Sequence, residues 1–285
     1  MIRLRLDCGY DGTDFSGWAA QPGRRTVAGT LAGAFTTLFG TVASLTVAGR
    51  TDAGVHATGQ VCHLDVPADR WAPLAPTLVR RLAGLLPADV RVYAVRAVPD
   101  AFDARFSALW RRYEYRVSDA PYGASPVRHR DTLAWPRPLD LAALTAASER
   151  LVGEHDFAAF CRRKDNATTV RAITALTWRR DADATLVATV AADAFCQAMV
   201  RSLVGALLPV GDGRRPVEWP ASLLSRRARA DEVVVAAPHG LTLVAIGYPD
   251  DETGYAHRAA ITRNRRAATA QDRQGTTRPP WSGRD

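Results

Sequence analysis

Apolar and polar residues alternate from the start of the chain, with Ile2, Leu4 and Leu6 set against Arg3, Arg5 and Asp7. A period of two predicts a strand with one covered face, and Tyr10-Asp11-Gly12 marks its end. From Thr26 to Leu38 the period lengthens. Val27, Leu31, Phe35 and Leu38 share one helical face, and Gly40 is the stop. Short apolar runs then predict strands at 45–48 and 61–66 around a glycine-punctuated loop at 49–59, followed by a helix over 73–86 that ends before Pro87. Two more alternating strands follow at 90–98 and 111–117.

A connection rich in proline and arginine, 118–138, leads into a second series of similar elements. It holds a helix near 139–151, strands near 174–179 and 186–191, a helix through Met199 and Leu208, and a last strand at 241–247. Strands outnumber crossovers. That pattern predicts an α+β fold with a mainly antiparallel sheet, helices on one side, and two pseudo-repeated halves, 1–110 and 111–248, although no clear sequence repeat accompanies them. Beyond Tyr248, residues 249–285 are poor in apolar side chains, carry scattered arginines and include Pro279-Pro280, so a disordered basic tail is expected there.

Composition narrows the partners. The chain has 285 residues and a net charge of +8, which favours a polyanion, nucleic acid first. Lys164 is the one lysine among 37 basic residues. Arginine suits phosphates and bases, but a GC-rich genome gives the same bias. Cys8, Cys62, Cys161 and Cys196 form no paired motif and are expected to be reduced and mostly buried. No apolar run reaches the roughly 18 residues of a membrane span, and the opening strand is no signal peptide, so a cytoplasmic protein is expected.

The stretch Gly49-Arg50-Thr51-Asp52-Ala53-Gly54-Val55-His56, continued by Thr58-Gly59-Gln60, displays a carboxylate on a tight loop between two apolar strands. The ordinary role of a loop aspartate is to cap its own backbone amides. The neighbouring Arg50 and the basic chain favour a chemical role instead. This segment closely resembles the signature of the tRNA pseudouridine synthase A family. The resemblance extends to Tyr10-Asp11-Gly12, Phe15-Ser16-Gly17-Trp18, Ala104-Arg105-Phe106-Ser107-Ala108, Arg111-Arg112-Tyr113, Ala194-Phe195, Met199-Val200-Arg201 and Val204-Gly205, in family order over most of residues 1–248.

The resemblance implies the pseudouridine synthase fold, built from two ferredoxin-like halves, in a homodimer whose cleft holds the anticodon stem-loop of tRNA. It implies an isomerase acting on uridines 38, 39 and 40, with Asp52 as catalytic aspartate, Tyr113 in the uridine pocket, Arg201 paired with Asp52, and Arg50 displacing the target base. Arg105, Arg111 and Arg112 are expected as RNA contacts. Simpler roles stay open: strand packing for Tyr113, a surface ion pair for Arg201, a solvated face for the other arginines, and core for Trp18. No metal and no cofactor are expected, because the product is an isomer of the substrate.

Ala19, Ala28 and Asp193 depart from residues expected in many members, which puts local RNA contacts and loop anchoring in question. Two rival readings remain. Asp52, His56, His63 and Asp65 could form a hydrolytic metal site, a weak reading because only His63 and Asp65 share a strand face. A basic RNA-binding or chaperone protein without turnover is the other. No Walker loop, dinucleotide fingerprint or nucleophile elbow is present.

Overall fold

The computed structural model describes residues 1–41, 45–162 and 168–275, the last eleven as backbone only. The opening alternation builds β1 (Ile2–Tyr10), whose even-numbered side chains Leu4, Leu6 and Cys8 are fully buried. On its other face Arg3 forms a bidentate pair with Asp65, and Arg5 and Arg96 both pair with Asp7. Thr26 accepts from Gly29 N–H to cap α1 (Val27–Phe39), and Gly40, at φ 82°, ends it. The short β2 (Thr46–Val47) precedes β3 (His56–Val66), which begins earlier than the expected strand and shortens the loop before it. Gly59 permits this course, because a Cβ there would lie 2.1 Å from the Val244 carbonyl oxygen of the crossing strand.

The helix expected over 73–86 is broken into α2 (Ala68–Leu74), a 3₁₀ turn and α3 (Leu78–Leu85). Pro73 and Pro76 explain the break, since neither supplies a backbone N–H to a continuous helix. Then come β4 (Val90–Val98) and β5 (Trp110–Ser118), and the long connection contains β6 (Leu133–Ala134). Asp140 caps α4 (Leu141–Glu149) through the amides of Ala142 and Ala143. The polar edge strand β7 (Gly153–Asp156) has no counterpart in the hydrophobic pattern. After it run β8 (Val170–Arg180), β9 (Leu186–Ala192), α5 (Met199–Gly211), α6 (Trp219–Ser222) and β10 (Leu241–Gly247).

The described strands form one sheet in the order β4-β1-β3-β10-β5-β9-β8-β7, with β2 on β3 and β6 on β5. Its pairs are antiparallel except β10 with β3 and β5 with β6. The fold is therefore mixed α and β around a large, mostly antiparallel sheet. The main core lies between the sheet and α1, α3, α4 and α5.

Two expectations are corrected. The segment expected to be disordered is helical as α7 (Glu252–Gly275), while 276–285 lie outside the described residues. Helices also do not keep to one side of the sheet. Tyr255 of α7 meets Phe102 edge-to-face, and Phe102 packs near Val61 and His63 on the face of β3 opposite Cys62 and Leu64. Ser107 donates to the Tyr255 carbonyl, and Arg263 pairs with Asp103. A few such anchors suffice where a neighbouring surface already exists.

Candidate active site

The loop carrying Asp52 is held from below by side chains of two strands. Buried Gln60 donates to the Gly49 carbonyl at 2.8 Å and to the Tyr10 hydroxyl at 3.1 Å. Tyr10 in turn shares a 2.8 Å hydrogen bond with Thr51. Trp18 N–H donates to the Thr51 carbonyl, and Gly17 lets that backbone come close, since a Cβ there would sit 2.9 Å from the same oxygen. Gly54, at φ 77°, closes a turn in which Val55 N–H donates to the Asp52 carbonyl. The Asp52 carboxylate is thus projected from a fixed support while staying 38% exposed.

Arg201 faces it from the first turn of α5, with Nη1 3.5 Å from Asp52 Oδ2. Its Nε donates to the Ala236 carbonyl at 2.7 Å, and Ala236 N–H donates back to the Arg201 carbonyl. Ala198, just before α5, holds a left-handed backbone at φ 63°, a conformation rarely adopted by residues other than glycine. The segment 193–198 therefore enters the helix through a strained turn.

Tyr113 is buried on β5 and meets Phe195 edge-to-face at 5.2 Å. Burial pushes its phenol up to about 12, with Asp52 adding to the shift and Arg111 opposing it. Asp52, Tyr113, Arg201, Arg50 and Arg105 all line one cavity of about 960 Å³. Arg50 and Arg105 are exposed at it, and Arg50 makes no ion pair among the described residues. Trp18 is buried core that also reaches the wall.

The remaining expected contacts separate by strand parity. Arg112 lies on the opposite face of β5 from Tyr113, beside Trp110 and away from the cavity. Arg111 shares the Tyr113 face, but its guanidinium is committed to the protein. It donates to the carbonyls of Ala48 (3.0 Å), Arg105 (2.8 Å), Asp193 (2.9 Å) and, more weakly, Ala108 (3.5 Å). This clamp joins the approach to the Asp52 loop with the approach to α5.

Asp193 Oδ1 accepts from the amides of Ala172 and Ala194, so an acceptor-only side chain serves as a loop anchor there. Cys161 and Cys196, expected as free thiols, are joined as a disulfide with their Cα atoms 5.7 Å apart, Cys196 lining the cavity and Cys161 buried behind it. Cys8 and Cys62 are free and buried. The residues of the rival metal reading are engaged elsewhere. His56 is held between Gly12 N–H and the Arg130 carbonyl, His63 accepts from Ala104 N–H, and Asp65 pairs with Arg3. No group of three or more His, Cys, Asp or Glu among the described residues is placed to hold a metal. The sequence reading missed Gln60 and Phe195 as supports, and it missed Arg171, which lines the cavity from β8.

The sequence model of a family described as tRNA pseudouridine synthase matches residues 147–249. The tRNA pseudouridine synthase A of Frankia casuarinae is 57% identical over 264 residues, covering 92% of this chain and 95% of that protein. The enzyme of the same name from Streptomyces griseus is 54% identical, covering 92% and 93% of the two chains. That of Mycobacterium leprae is 51% identical, covering 94% and 96%.

Proposed function

The chain belongs to the tRNA pseudouridine synthase A family, isomerases that act on tRNA, and from that premise we propose that it converts uridine to pseudouridine at positions 38, 39 and 40 of the anticodon stem-loop, with Asp52 as the catalytic carboxylate. One observation carries this reading: the Asp52–Arg201 pair stands at 3.5 Å in a cavity that also takes in the buried face of Tyr113.

The reaction breaks the bond between C1′ and N1, turns the uracil and joins C1′ to C5. The C5 proton leaves and N1 takes one up, so atoms balance with no redox or energy cofactor. An ionised carboxylate serves either branch of such a mechanism, by adding covalently to the substrate or by removing a sugar proton to give a glycal. Arg201 stands beside it at 3.5 Å as its counter-charge. The target base has to leave the helical stack at a cost of a few kcal/mol. Aromatic contact with Tyr113 returns about 1–3 kcal/mol of that, and exposed Arg50, next to Asp52 on the loop, is placed to occupy the vacated position.

The raised pKa of Tyr113 keeps it a phenol at neutral pH. It therefore offers a hydrogen bond and a ring edge rather than a standing base. Arg111 acts by holding the loops, and Arg105 is the better placed phosphate contact at the cavity mouth. We read the sheet as two pseudo-repeated halves meeting at β10, since β4, β1 and β3 lie on one side of that strand and β5, β9, β8 and β7 on the other. A second copy of the chain would widen the basic groove towards the size of an RNA stem. No helix among the described residues is long and apolar enough to cross a membrane, and the cytoplasm, where tRNA resides, is the proposed compartment.

Mapping pseudouridine by carbodiimide adducts and primer extension on tRNA transcripts tests the assignment. New stops at 38, 39 or 40 are expected. Stops confined to another arm would replace the proposed substrate site.

A further inference from the structure

The cavity wall contains one arginine whose burial the folded chain does not compensate. Arg171 sits on β8 opposite His155, beyond the last residue of β9, where 193–198 begins its run to α5. Burial dominates its surroundings and lowers its pKa, with Asp193 and Asp156 opposing from a distance and Arg111 adding to the effect. No carboxylate comes within ion-pair distance among the described residues. Nη1 donates to the Val170 carbonyl, and Nε is buried with no partner among the described residues.

The other arginines at the cavity differ. Arg111 spends its donors on four carbonyls, Arg201 has Asp52 and the Ala236 carbonyl, and Arg50, Arg105 and Arg162 are exposed to water. A buried, charged N–H left unmade is unfavourable, and such groups in native structures are normally completed by a ligand or water. A guanidinium with Nε and one Nη free presents the fork that matches two oxygens of a phosphate.

We infer that Arg171 is a substrate-binding residue, receiving a phosphodiester next to the target uridine through the guanidinium edge that the folded chain leaves unpaired. The inference rests on the RNA-modifying role proposed above. It gives the cavity an anion site on the β8 wall, across from the loop of Asp52, so that the flipped nucleotide is held by its backbone on one side while its base meets Tyr113. Thr168 and Thr169 line the same wall.

The test couples the arginine to a single charge on the substrate. Full-length tRNA is assembled with one methylphosphonate, which lacks the anionic oxygen, on the 5′ or the 3′ side of the target uridine. Filter binding and product formation are measured for wild type, Arg171→Met and Arg171→Lys. On all-phosphate tRNA, Arg171→Met is expected to bind about ten- to a hundredfold more weakly, the range for a hydrogen bond to a charged group. At one of the two linkages the methylphosphonate should cost wild type a similar factor and cost Arg171→Met nothing, with Arg171→Lys in between.

A merely structural role would not move this coupling, because a misfolded fraction cancels when two substrates are compared on one variant. Equal losses for wild type and Arg171→Met at both linkages would overturn the inference. Binding carries this result alone. Coupled binding without any product would instead count against the proposed chemistry.

Discussion

Replacing Arg111 by methionine keeps much of the side-chain volume but removes the guanidinium that ties the carbonyls of Ala48, Arg105 and Asp193 together at 2.8–3.0 Å. A net hydrogen bond to a charged group contributes about 1.5–3 kcal/mol, so three sound bonds give an upper range near 5–9 kcal/mol. Two effects reduce it. Holding the guanidinium in the interior is itself costly, as its lowered pKa records, and water entering the site of the lost group can satisfy part of the orphaned carbonyls. A net destabilisation of about 3–5 kcal/mol is expected, comparable to removing one partner of a buried charged pair.

Urea unfolding followed by fluorescence measures it, with a fall in midpoint at unchanged slope as the expected form. The same variant separates the clamp from an RNA contact. The salt dependence of tRNA binding should keep its slope in Arg111→Met at a temperature where the variant is folded. Arg105→Ala, which removes a cavity-mouth charge, should flatten the slope by about 0.7–0.9. A stability loss below about 1 kcal/mol together with a flattened slope in Arg111→Met would refute the clamp.

Tyr113→Phe should leave tRNA binding nearly unchanged and lower the single-turnover rate by about a hundredfold, the usual loss when one preorganised hydrogen-bond donor to a developing charge is removed; a full rate would confine Tyr113 to packing against the base. His63 is buried and its pKa lies below the ordinary value of 6.5. As pH falls, the unfolded chain therefore takes the proton first. Its contribution to stability is intact above about 6.5 and declines below it, so wild type should lose more urea stability between pH 7.5 and 5.5 than His63→Gln; equal losses would contradict this. Ending the chain at 249 should lower the unfolding temperature by uncovering Phe102, whereas ending it at 275 should not; an unchanged temperature on removal of 250–285 would deny α7 its packing role.

The covered face of β1 and the span of β10 were readable because alternation and burial coincide there. Parity on β5 was equally available: residues 111, 113, 115 and 117 point one way and Arg112 the other, so the inward course of Arg111 could have been deduced. Other features depend on what lies opposite them. The polar β7 is recognisable only beside β8, and α7 docks through few apolar contacts, with Tyr255 on Phe102 foremost. Cys161 and Cys196 are 35 residues apart and meet because the antiparallel pair β8 and β9 brings the chain back. Arg171 stands out only once β9 has ended, leaving it paired with β7 on one side and with no strand on the other. Asp52 was legible as a displayed carboxylate, but its support by Gln60 and Tyr10 required the pairing of β1 with β3.

The most direct measurement is tritium release from C5-labelled uridine in tRNA, comparing wild type with Asp52→Asn, which keeps the size of the side chain and removes its charge. The account predicts release by wild type and none by the variant, with both binding tRNA alike. Release by Asp52→Asn at the wild-type rate, or none by wild type from any tRNA it binds, would contradict it.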